Sequence, residues 1–184
     1  MRQIFVSFHH HDEYEVSVFC RRYARFFDEI RTLGISEEGD EYTERINSGD
    51  ADYVMRKIRE DYLAGSTCTV VLIGKCTWAR RYVDWEIAAT LRNNKDNPRS
   101  GLIAVQLASA AENGWDTLPP RLARNVVREH GNDVGYARFY APPPSDGTLA
   151  RWVDEAIERR DSMEPVAGST SELRINSSPC EWSS

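Results

Sequence analysis

The sequence predicts an α/β domain built on a parallel sheet, and three observations carry that prediction. Short apolar runs alternate with segments of helical periodicity along most of the chain. One of these runs, "STCTVVLIG" (66–74), is apolar almost throughout, as a central strand covered on both faces has to be. Parallel strands need crossover connections, and the intervening helical segments supply them. For five strands the natural order is 2-1-3-4-5, the flavodoxin-like arrangement, with helices on both faces of the central sheet.

The elements follow in chain order. "QIFVSF" (3–8) is rich in β-formers and ends at the polar "HHHDE", which marks a buried strand. "DEYEVSVFCRRYARFFDEI" places Val16, Phe19, Cys20, Tyr23, Phe26 and Phe27 at helical spacing, with Asp12 as N-cap and Glu15 as its capping-box partner. Residues 31–35 form a short second strand. The segment 36–52 is polar and long for a connection, as lids and disordered loops are. "DYVMRKIREDYLAG" gives a second helix burying Val54, Ile58 and Tyr62, closed by Gly65. After the central strand comes the helix "TWARRYVDWEIAATLR" (77–92), then the strand "GLIAVQLA" (101–108). Residues 109–135 form a long connection with one helical turn at "LPPRLARN". "ARFYA" (137–141) is an edge strand, and "TLARWVDEAIERR" (148–160) is a last amphipathic helix. One domain over 1–160 and a flexible polar tail over 161–184 are expected.

Bulk properties narrow the function. A length of 184 residues suits one domain with its own core. A net charge of -6 argues against a nucleic-acid partner, which needs clustered Lys and Arg to displace counterions. The start "MRQIFVSFHHHDE" turns polar too soon for a secretory signal, and no apolar run is long enough to span a bilayer. Cys20, Cys68, Cys76 and Cys180 show neither a C-x-x-C pair nor regular spacing, so free thiols in a reducing, cytoplasmic setting are expected.

In this strand order, ligands sit beyond the carboxyl ends of the first and third strands, here at "SFHHHD" (7–12) and "IGKCTW" (73–78). Glu86 lies on the helix leaving the second loop, at the border of the apolar stripe of Val83, Ile87 and Leu91. Spacing alone allows either a surface acid paired with an arginine or a partly desolvated carboxylate with a tuned pKa. Three successive histidines at a strand end cannot all face one metal, so no metal site is expected at His9, His10 and His11. One imidazole touching a ligand and a plain solvated loop are both open there. Trp78 and Trp85 are either core or an aromatic lid. The absence of G-x-G-x-x-G, Walker and G-x-S-x-G patterns removes support for dinucleotide reductase, P-loop and esterase readings.

Taken together, "IFVSFHH", "YVMRKIREDYLAGSTCTVVLIGKCTW" and "VDWEI" resemble the TIR-like domain family of bacterial Thoeris anti-phage defence, over roughly residues 3–110. The resemblance implies a flavodoxin-like TIR fold and an NAD-cleaving activity. It places the catalytic glutamate of that family at Glu86. Ser7, Phe8 and His9 match the family's S-F-H at the first strand end and become candidates for substrate binding, with Lys75, Asp84 and Trp85 beside them. NAD enters as substrate and no cofactor is implied. The product, ADP-ribose or a cyclic isomer, is expected to activate a partner effector, and self-association is a further expectation. Two other readings stay open: a non-catalytic TIR scaffold acting through protein assembly, and a flavodoxin-like receiver or flavin binder. Against the receiver stands the lack of an acidic cluster directly after the first strand.

Overall fold

The computed structural model describes residues 2–32, 50–93, 98–170 and 180. β1 (Gln3–Ser7), β2 (Glu29–Thr32), β3 (Cys68–Ile73) and β4 (Gly101–Gln106) join β7 (Arg138–Tyr140) in one five-stranded sheet of order β2-β1-β3-β4-β7. Every pairing in it is parallel. This is the expected flavodoxin-like TIR order, because β5 (Arg128–Glu129) and β6 (Asn132–Asp133) pair only with each other as a small hairpin. β1 and β3 are adjacent with opposite winding on either side, and folds of this winding bind ligands beyond the carboxyl ends of such a strand pair.

Alternation along the strands divides the core into two faces. Ile4, Val6, Val70, Leu72, Ile103 and Val105 point to one side, where α1 (Glu13–Tyr23) and α6 (Asp146–Ser162) cover them with Val16, Leu149 and Val153. On the other side lie Phe5, Val71, Ile73, Leu102 and Ala104. They are covered by α2 (Ala51–Ile58), α3 (Arg81–Leu91) and α5 (Pro120–Asn125). A further short helix, α4 (Ala108–Asn113), ends at Gly114, whose φ of 69° supplies the left-handed C-cap.

Several boundaries differ from expectation for identifiable reasons. The first helix stops at Tyr23 and passes through a 3-10 turn (Ala24–Phe26), because residues from Glu29 are drawn into β2. Asp12 does not cap it by a side-chain hydrogen bond, and Glu15 instead accepts from Ser109 N and Oγ. The second helix continues as a π-turn (Arg59–Leu63) before Gly65, whose φ is 80°. The long polar segment 36–52 falls largely outside the described residues; its end is Asp50, which caps α2 by accepting from Asp52 N and Tyr53 N.

The carboxyl-terminal region also departs from a flexible tail starting at 161. α6 runs on through Ser162, and Arg121 donates to the carbonyl of Ser169, a residue only 3% exposed. Asn125 donates to Ser169 Oγ and accepts from Val166 N, so the described residues 163–170 are docked on α5. Residues 171–179 and 181–184 lie outside the described residues. Cys76 and Cys180 are joined in a disulfide, which corrects the expectation of four free thiols; Cys20 and Cys68 remain free. No pattern of spacing marks a bond closed across 104 residues. Among the described residues no helix is long and apolar enough to cross a membrane.

Candidate active site

The carboxyl end of β1 and the second turn of α3 meet at one buried pair. Ser7, the last residue of β1, stands opposite Val71 in the register with β3. Its hydroxyl donates to Glu86 Oε2 at 2.5 Å. Both side chains are withdrawn from solvent, Ser7 at 1% exposure and Glu86 at 5%. Burial pushes the Glu86 carboxyl up to about 8, while the bond from Ser7 pulls the other way. Among the described residues no ion pair reaches Glu86, so the bland reading of a surface acid paired with arginine does not describe it.

The helix that carries Glu86 is fixed at three points. Thr69 on β3 and Thr90 on α3 share a 2.8 Å hydrogen bond, and the Thr90 hydroxyl donates to the carbonyl of Glu86 itself. At the helix end, the buried guanidinium of Arg59 donates to the carbonyls of Ala89 and Arg92, groups left over when a helix stops. On the flank, Arg121 grips Asp84 with two 2.9 Å hydrogen bonds, and both side chains are 2% exposed. Together these contacts set the azimuth of α3 that points Glu86 at Ser7.

The remaining candidates scatter around this pair. His9 follows Ser7 by two residues, is 2% exposed and accepts at Nδ1 from His11 N–H. Burial, then the neighbouring Arg80, hold its imidazole neutral, down to about 3. Phe8 is 8% exposed and belongs to the core beneath α1. Lys75 is half-buried, its ammonium 5.6 Å from the centre of the Trp115 ring. Asp84 lies about 200° around the helix from Glu86 and is engaged by Arg121 rather than brought to the pair. Trp85 packs with Phe5, Val54 and Ile58 and meets Tyr82 edge-on, so it positions α3.

The strand-end geometry that argued against convergent histidines does not hold here. His10–Asp12 form a 3-10 turn capped by His9, and the ligand atoms of His9, His10 and His11 all lie within 4.8 Å of one another.

Three buried polar residues were not singled out as site residues from the sequence. Arg59 and Arg121 act on partners 30 and 37 residues away, and nothing local marks such pairing. Asp12 was read as a cap. Its Oδ2 is buried without a hydrogen-bond partner among the described residues, and burial pushes its carboxyl up to about 6, helped by Glu15. It presses against Gly74 so closely that a Cβ there would lie 2.2 Å from Oδ2, so any side chain at this position would displace the Asp12 carboxyl.

A cavity of about 530 Å³ lined by Arg2, Phe27, Asp28 and Asp154 lies at the opposite, amino-terminal end of β1 and is not part of this site.

The family model described as "Thoeris protein ThsB, TIR-like domain" matches residues 5–112, which span β1 through α4 and include Ser7, His9 and Glu86. No curated protein matches the chain.

Proposed function

This chain belongs to the Thoeris ThsB TIR-like domain family, a defence-related TIR family, and from that premise we propose that it is an NAD-cleaving enzyme with Glu86 as its catalytic carboxylate. The observation that carries the reading is the Ser7–Glu86 pair, a desolvated acid held by a hydroxyl at the carboxyl end of β1, where folds of this winding bind ligands.

The chemistry asks little beyond such a group. The bond between ribose C1′ and the nicotinamide nitrogen breaks with its electron pair leaving on nitrogen, so the cationic ring departs neutral and no general acid is needed. Positive charge develops on the ribose, and a carboxylate aimed at it stabilises that charge. Glu86 is protonated near neutrality in the ligand-free chain, but a cationic ring beside it favours the ionised form. Ser7 keeps the carboxylate oriented, and its hydroxyl is placed to pass to a ribose oxygen. His9 serves as a hydrogen-bonding partner for ribose or phosphate, with Lys75 as a weaker contact for the pyrophosphate. Attack on C1′ by water gives ADP-ribose; attack by a group on the same molecule gives a cyclic isomer. In the Thoeris setting we read this product as the signal that activates a partner effector.

A second reading has one observation in its favour. At 5% exposure Glu86 offers little surface to a substrate, as an acid used structurally in a TIR scaffold would. The two readings separate on product analysis. Incubation of NAD with purified wild-type and Glu86→Gln protein, alone and with lysate of phage-infected cells expressing each, is followed by mass spectrometry. Nicotinamide release with ADP-ribose or a cyclic isomer from the wild type alone supports the enzyme. No product in any arm from folded protein leaves the scaffold.

A further inference from the structure

We propose that the imidazoles of His9, His10 and His11 form a binding site for one borderline divalent transition-metal ion such as zinc. The inference does not rest on NAD turnover, although a metal-bound His9 would be withdrawn from the substrate contact proposed above; it rests on where the turn puts three nitrogen donors. His9 stands in extended backbone as the cap of the short 3-10 turn His10–Asp12, and across this change of backbone the three consecutive imidazoles meet in the β1–α1 connection. Their rings stand 4.2 to 4.9 Å apart between centroids, and their donor atoms all fall within 4.8 Å of one another.

A tetrahedral zinc with bonds of about 2.0–2.1 Å holds its ligand nitrogens about 3.4 Å apart. The donor atoms, up to 4.8 Å apart, therefore have to close by up to about 1.4 Å. The two histidines that must move are exposed and sit at the protein surface, whereas His9 is buried and serves as the fixed ligand. Coordination through His9 Nε2 requires its proton to move to Nδ1, which surrenders the 3.2 Å bond from His11 N–H. The metal–nitrogen bond replaces that contact. Water fills the fourth position. Among the charged neighbours, Arg80 stands beside His9 and His10 and opposes a cation, while Glu13 acts on His10 in the favourable sense. With neutral nitrogen donors and no carboxylate among the three ligands, the site selects zinc, nickel or copper over magnesium and calcium. An ion here would lock the turn that begins two residues beyond Ser7.

The test is calorimetric titration of the full chain, prepared without an affinity tag, with zinc chloride. One ion per chain is expected, with His10→Ala and His11→Ala each weakening it at least about tenfold and the double variant about a hundredfold. Because both residues are exposed, the variants should melt like wild type without metal. Cobalt(II) loading should give d–d absorption without a thiolate charge-transfer band. Equal affinity of wild type and double variant, a thiolate band, or equal binding of magnesium would each overturn the site, placing the ion on cysteine or on the acids of α1 instead.

Discussion

Ser7 at the end of β1 donates its hydroxyl to Glu86 of α3 at 2.5 Å, and this contact joins the two elements that define the site. It also couples folding to pH. The folded-state pKa of Glu86, about 8, lies above its ordinary 4.5, so the native chain keeps a proton that the unfolded chain loses between those values. The stability linked to that proton is fully present below pH 4.5 and is lost as pH rises through 8. Glu86→Gln keeps the shape and removes the charge. Relative to wild type it should gain about 3 kcal/mol between pH 4.5 and pH 7, read by urea unfolding at the two pH values. A difference that stays constant with pH would contradict the buried, protonated acid.

Ser7→Ala tests the same contact from the other side. The hydroxyl favours the ionised carboxylate, so its removal moves the Glu86 pKa higher still. If ionised Glu86 is the active form, kcat/KM for NAD rises with pH through about 8 in the wild type, since that ratio reports the free enzyme. In Ser7→Ala the midpoint should shift to higher pH, with roughly tenfold lower kcat/KM at pH 7 for each unit of displacement. Equal midpoints in the two pH profiles would show that Glu86 is not the titrating group.

The parts of the fold that were legible in the sequence are those with local causes. β3 is apolar on both faces because it is central, and the expected order 2-1-3-4-5 follows from the alternation of strands with helices. Glu86 at the stripe border was legible as a candidate, but its depth was not. Its buried partner, Ser7 of β1, is 79 residues away in the chain, and nothing local marks that meeting. The setting of Asp84 was hidden for a related reason. Two residues along a helix reverse the facing direction, and Arg121 engages Asp84 from an element 37 residues on. The strand was read one residue too far, through Phe8, and the 3-10 turn that gathers the three histidines directly after it has no local signature.

Arg121 and Asp84 form an ion pair that neither can lose alone. Arg121→Met leaves a carboxylate at 2% exposure without its guanidinium and removes the donor to the Ser169 carbonyl. A loss of about 3–5 kcal/mol is expected in denaturant unfolding. Pairing it with Asp84→Asn removes the stranded charge and should recover at least about 1 kcal/mol. Additive losses in the double-mutant cycle would mean that the two side chains act separately, against the bidentate geometry.

The disulfide ties the loop after β3 to residue 180 across most of the domain, and its effect should be visible without any assay of activity. Peptide mapping under non-reducing conditions is expected to recover Cys76 with Cys180. Native alkylation should be slow at Cys68, which is 0% exposed with its thiol pushed up to about 12 by burial, and slow at Cys20, pushed up to about 11. For a closed loop of 104 residues the chain-entropy argument gives about 4.7 kcal/mol. Cys180→Ser should lower the unfolding midpoint in oxidised protein and leave it unchanged once both proteins are fully reduced. If the midpoints differ equally in the two conditions, Cys180 contributes through packing and the cross-link contributes nothing. Equal midpoints in both conditions would mean that the bond does not form in the purified chain, and the docked segment would then be held by Arg121, Asn125 and Arg99 without it.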